Sequence, residues 1–143
     1  MPGKEERNLV TDTQAQPAVS KDLQESLEIA VAAAQALDEG KAEDIIILDL
    51  SSLSSFADFF VIATGTSIVH IRSLADRVEE KLRRQRIRMA HLEGQDSTSW
   101  FLLDYLVVLV HIFSPESRDY YGLERLWGDA SVVDWQSQES RNT

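Results

Sequence analysis

Residues 58–71 run Asp-Phe-Phe-Val-Ile-Ala-Thr-Gly-Thr-Ser-Ile-Val-His-Ile, and the hydrophobic period changes inside that stretch. Phe59–Ala63 is an unbroken apolar run of strand length and is expected to be a strand. Beyond Gly65, residues Ile68, Ile71, Ala75, Val78 and Leu82 step by threes and fours, which is one stripe of an amphipathic helix. A strand that breaks at a glycine and continues as a helix needs a sheet around it and helices to cover that sheet. The chain is therefore expected to be α/β. Ser67 or Thr66 is the expected N-cap of the helix.

The remaining elements follow from the same reasoning. Ser20 is placed to cap a first helix with Asp22 in its first turn, and Leu23, Leu27, Ala30, Val31, Ala34 and Leu37 recur at helical spacing until Gly40. The β-branched run Asp44–Asp49 predicts a buried strand, and the serines between 51 and 55 predict a loop. Residues 87–93, 100–105 and 106–113 predict three more strands, with Gln95-Asp96-Ser97-Thr98 as a turn. No Gly or Pro separates the last two strands, so their hinge falls near Asp104–Leu106. Pro115 is expected to open a final helix to about Trp127 that places Tyr120, Leu123, Glu124 and Trp127 on one face. The predicted order is α β β α β β β α, a mixed sheet of about five strands with helices packed on it. Residues 1–19 are expected to be a flexible polar tail, 20–130 the domain, and 131–143 a second polar tail.

Length and charge narrow the function. A chain of 143 residues is of single-domain size. Its net charge of −10 disfavours non-specific grip on nucleic acid and favours basic partners. Cysteine is absent, which removes disulfides, thiolate nucleophiles and Cys-based zinc sites. No apolar stretch approaches the ~18 residues of a membrane span, and the N-terminus lacks a secretory h-region. These features point to a cytoplasmic protein.

The strand–Gly–helix junction is where many enzymes hold a phosphate on free helix N–H groups. Here one glycine stands alone, no lysine follows it, and neither a Walker sequence nor G-x-G-x-x-G is present. A nucleotidyltransferase would also need paired carboxylates on the next strand to hold metal ions. Ile87-Arg88-Met89-Ala90-His91-Leu92-Glu93 carries no such pair. His70, His91 and His111 lack metal-ligand spacing, and no G-x-S-x-G elbow accompanies the serines. No catalytic residue, cofactor site or metal site is expected. A nucleotide site at the Thr64–Ser67 turn stands as the enzyme alternative.

Two surface features remain. The stretch Lys81–Arg88, with Arg83, Arg84 and Arg86, has the composition of an RNA-phosphate contact, though cations complementing the preceding helix C-terminus account for it more simply. Glu79–Arg83 and Glu80–Arg84 are spaced as i,i+4 ion pairs. The aromatic residues Trp100, Tyr105, Tyr120, Tyr121 and Trp127 lie near Glu93, Asp96 and Asp104 in sequence, a combination common at protein–protein hot spots.

The chain resembles the ribosomal silencing factors, or Iojap family, over about residues 23–130. The resemblance rests on Asp44-Ile45, Leu48-Asp49, Asp58–Ser67, Ala75-Asp76, Glu93-Gly94, Trp100, Leu103-Asp104-Tyr105, Val110–Phe113, Arg118, Tyr121–Trp127 and Asp129-Ala130. It implies a nucleotidyltransferase-like fold without the catalytic carboxylates. It also implies binding to ribosomal protein fourteen of the large subunit, steric block of small-subunit joining, and repression of translation when nutrients are short. Related organellar members assist large-subunit assembly, which supplies a second alternative. The partner-binding residues expected, from the aromatic and acidic feature above, are Glu93, Asp96, Trp100, Asp104 and Tyr105; the resemblance implies a homodimer as the free state. One departure stands out: the Gly-Asp turn usual in the family between the last two strands is Leu106-Val107 here.

Overall fold

The computed structural model describes residues 15–94 and 99–137, with side chains from Asp22 onward. The elements are α1 (Ala15–Glu39), β1 (Glu43–Asp49), β2 (Phe59–Thr64), α2 (Ile68–Arg84), β3 (His91–Glu93), β4 (Trp100–Asp104), β5 (Val108–Phe113), α3 (Pro115–Tyr121), α4 (Leu123–Leu126) and β6 (Ser131–Val132). The strands form one six-stranded sheet in the order β3-β4-β5-β2-β1-β6. Only β2 and β5 run parallel; the other neighbours are antiparallel. The expected mixed α/β sheet is present, with one strand more than the sequence predicts.

Residues directly opposite each other in a sheet point to the same side, so the register defines two faces. Phe59, Val61 and Ala63 of β2 share one face with Val108, Val110 and Ile112 of β5 and Phe101 and Leu103 of β4. That face packs against α1 and α2 through Ala30, Ala33, Ala34, Leu37, Ile71, Leu74, Val78 and Leu82, all buried. The small residues of α1 let the two helices approach closely. A Cβ on Gly40 would lie 2.6 Å from Leu74 Cδ2, so this glycine is a contact point between the helices. The left-handed residue that ends α1 is Lys41 (φ 69°), one position later than the glycine suggests.

The opposite face is covered over only part of its width. Leu48, Phe60, Ile62 and Phe113 form a second, smaller cluster beneath Leu123, Trp127 and Ala130. Over β3 and β4 the described residues place no helix on this side beyond the end of α3, whose Tyr121 meets Trp100.

Several boundaries differ from expectation for physical reasons. The first helix starts at Ala15, so Ser20 lies inside it, and the expected tail is helical from residue 15; residues 1–14 lie outside the description. The third strand is only His91–Glu93, shorter than the 87–93 expected, and the helix before it ends at a left-handed Arg86 (φ 66°). Gly122 (φ 58°) splits the predicted last helix into α3 and α4, which breaks the single face proposed for Tyr120 and Trp127. The domain does not stop at 130. Leu48 and Asp49 pair with Val132 and Ser131, and Trp135 is buried against the main core with Nε1 donating to the Ile45 carbonyl at 3.4 Å.

Candidate docking face

Register assembles the site from strands far apart in sequence. Across β3–β4–β5, Glu93 opposes Leu102, His91 opposes Asp104, Trp100 opposes Phe113, Leu102 opposes His111 and Asp104 opposes Leu109. All of these side chains therefore share the face that α1 and α2 leave free. Glu93 and His91 are exposed, whereas Trp100, Leu102, Asp104 and Leu109 are half-buried. The carboxylate of Glu93 lies 3.2 Å from His91 Nε2. Asp104 Oδ1 accepts from the Leu106 N–H at 2.7 Å, which fixes the acid at the mouth of the β4–β5 hairpin.

The aromatic part of this face is a contiguous ring cluster. Trp100 and His111 lie within 3° of parallel with centroids 6.2 Å apart, and Trp100 Nε1 donates to His111 Nδ1 at 3.4 Å. Phe113 stacks with both rings, and Tyr121 of α3 closes on Trp100 at 5.5 Å. Tyr120 meets Tyr121 edge-on and projects into solvent. Burial holds the His111 imidazole down to a pKa of about 4, so it is a neutral platform for Trp100. Its buried Nε2 has no hydrogen-bond partner among the described residues.

Of the residues expected at a partner site, Glu93, Trp100 and Asp104 are thus brought together on one open face. Asp96 lies outside the described residues. Tyr105 is a correction: it alternates to the opposite face, is buried in the main core beneath the helices, and offers no ring to a partner. Its hydroxyl has no partner among the described residues, and burial, with the negative charge of Glu79, pushes its pKa up to about 12. Tyr121, one of the aromatic candidates, joins this face, and Leu102, Leu109 and His111 belong to it without having been expected there. Strand alternation from Trp100 through Leu102 to Asp104 was the available signal.

The arginines occupy another layer. Arg83 and Arg84 stand on α2, which covers the other side of the sheet, and both pair with Glu80; Arg83 also lies 3.6 Å from Glu79. Hydrogen bonds from Arg83 and Arg84 hold the Glu80 carboxyl below its usual range. Arg86 is exposed at the left-handed turn after the helix. Neither this basic stretch nor its charge joins the aromatic face.

The Gly-Thr-Ser junction is internally occupied. Ser67 caps α2 by accepting from the His70 N–H, and Thr66 N–H donates to His70 Nδ1 at 2.9 Å. The other ring nitrogen of His70 reaches the Gly40 carbonyl at 2.9 Å, tying this turn to the end of α1. A Cβ on Gly65 would lie 2.6 Å from Ile71 Cγ1 and 3.2 Å from its backbone, so glycine is required by the close approach of α2. Beside the turn, Arg118 donates to Thr64 Oγ1 at 2.9 Å and to both carboxylate oxygens of Glu124, on the rim of a cleft of about 280 Å³. Among the described residues no group of three or more His, Cys, Asp or Glu is placed to hold a metal ion.

The chain is a mixed α/β domain whose sheet has one helix-packed face and one half-open face of stacked rings and carboxylates. Residues 23–143 match the family model described as "Ribosomal silencing factor during starvation". The chain belongs to that family. It is 39% identical to "Ribosomal silencing factor RsfS" of Halalkalibacterium halodurans over 111 residues, covering 78% of this chain and 92% of the relative. It is 39% identical to the protein of the same name from Bacillus subtilis over 102 residues, covering 71% and 86%. Among solved structures, a Chromobacterium violaceum protein superposes with a TM-score of 0.69 at 40% identity, covering 71% of this chain and 84% of that one.

Proposed function

We propose that the chain represses translation by docking its half-open sheet face onto a basic protein of the large ribosomal subunit, ribosomal protein fourteen, and so keeping the small subunit away. The observation that carries this reading is the union of Trp100, Glu93 and Asp104 on one uncovered face. Family membership supplies the ribosomal setting. A half-buried indole held by His111, Phe113 and Tyr121 loses little freedom on binding, as an interface anchor should. The flanking carboxylates and the net charge of −10 suit a basic partner and speed its encounter. The setting implied is the compartment in which ribosomes work, the cytoplasm.

Sedimentation with purified large subunits and with joined ribosomes tests the reading. The protein should travel with free large subunits and be absent from joined ribosomes. Trp100→Ala should weaken large-subunit binding by about 2 kcal/mol or more while the chain stays folded. Binding by a folded Trp100→Ala protein equal to that of the parent would remove the face from the proposal. Binding confined to immature large subunits would replace repression by the assembly role. A rise in melting temperature with nucleotide triphosphate and magnesium would instead favour the enzyme reading. The Thr66 and His70 N–H groups are already engaged by side chains of their own segment, which weighs against that last outcome.

A further inference from the structure

Four non-glycine residues among those described have positive φ: Lys41, Asp44, Arg86 and Leu106. Lys41 and Arg86 end helices and carry long polar side chains to solvent, and Asp tolerates this region better than most residues. Leu106 is different. It sits at φ 72° at the tip of the β4–β5 hairpin, where the Val107 N–H donates to the Tyr105 carbonyl at 2.9 Å. An i to i+2 hydrogen bond around a residue of that φ makes the tip a γ-turn of the rare, strained kind. Nothing in the fold compensates a leucine there, because its side chain is 67% exposed, and neighbouring Val107 is 38% exposed.

The tip is nonetheless held firmly. Asp104 Oδ1 fixes the Leu106 N–H, Tyr105 N–H donates to the Val108 carbonyl, and the Val107 carbonyl accepts from the N–H groups of Asp58 and Phe59. A strained position that is over-determined by its surroundings and presents a bulky apolar group to water is the signature of a residue kept for contact rather than for folding. The knob adjoins the docking face. Asp104, one of the acids of that face, accepts from the Leu106 N–H at 2.7 Å, so exposed apolar tip and carboxylate sit at the same hairpin end.

We infer that Leu106 is an additional anchor and specificity residue: it inserts into an apolar depression on the same basic partner whose cationic groups meet Asp104 and Glu93. This rests on the large-subunit docking reading. The charge of that hairpin end selects the occupant, since an apolar knob beside fixed carboxylates matches a basic protein surface better than a second acidic copy of this chain.

Two substitutions in the full chain separate the knob from the strain. Leu106→Gly removes both, so its melting temperature should rise by about 4 °C or more while its affinity for purified bacterial large subunits falls about tenfold or more. Leu106→Ala removes the knob but keeps a Cβ in the strained turn; its affinity should fall similarly without that thermal gain. Unchanged binding by both variants, with the parent still binding, would overturn the inference and leave the docking reading intact. Loss of a concentration-dependent dimer in sedimentation, with large-subunit affinity unaffected, would also overturn it by assigning the knob to self-association. A parent chain that does not bind large subunits at all would sink the underlying reading first.

Discussion

The two faces of the sheet solve the burial problem differently. The face under α1 and α2 is sealed: Val61, Val110 and Ile112 of the sheet meet Leu37 and Leu74 of the helices, all essentially inaccessible to water, with Phe59 and Phe101 buried beside them. The other face packs aromatic rings edge to edge and under α3 and α4, then leaves its β3–β4 side open. The first face gains its stability from area removed from water and from close packing. The second gives up part of that gain to keep an indole and two carboxylates available. One side of the sheet is sealed by helices, and the other keeps polar and aromatic groups within reach of solvent.

The contrast should appear most strongly in stability. Leu74→Ala, beneath the helices, should cost about 2–5 kcal/mol by urea unfolding, because its neighbours cannot collapse into the space. Partner binding, scaled to the folded fraction, should be unchanged. A cost below about 1 kcal/mol would mean that the helix-covered face is less tightly packed than its burial indicates.

The second test concerns His111 under Trp100. Burial lowers its folded pKa to about 4, against an unfolded value of about 6.5. The unfolded chain therefore takes up the proton first, and stability falls as the pH drops from about 6.5 towards 4. By pH 5 this group alone should cost about 2 kcal/mol. His111→Gln keeps an acceptor for the indole but does not titrate, so its loss of stability between pH 7.5 and pH 5 should be smaller by that amount. Equal pH slopes for the two proteins would mean that His111 is not held neutral by the ring cluster.

The smallest effect returns to the helix-covered face. Tyr105→Phe removes a buried hydroxyl that has no partner among the described residues. It should leave stability unchanged or raise it by up to about 1 kcal/mol, with no effect on large-subunit binding. A clear loss of stability would indicate a hydrogen bond to that hydroxyl, and a loss of binding would return Tyr105 to the docking surface.

The sequence by itself determined what depends on neighbours along the chain. The period change across Gly65, the Ser67 cap, the ion pairs of α2 and the α/β class were all legible, because helix and strand periodicity are local properties. The single helix expected over Pro115–Trp127 is divided at Gly122, whose left-handed φ is set by the local turn and not by the apolar spacing on either side. Strand β6 and Trp135 were missed because two residues that pair with β1 carry no periodicity of their own. Only the tertiary structure could decide the site. Trp100 and Tyr105 are both aromatic, both close to acids in sequence and only five positions apart. One lines the open face and the other lies in the core, because strand alternation sends them to opposite sides and because α1 and α2 cover only one of those sides. Which face receives the helices depends on how distant segments pack, and composition near a residue carries no record of it.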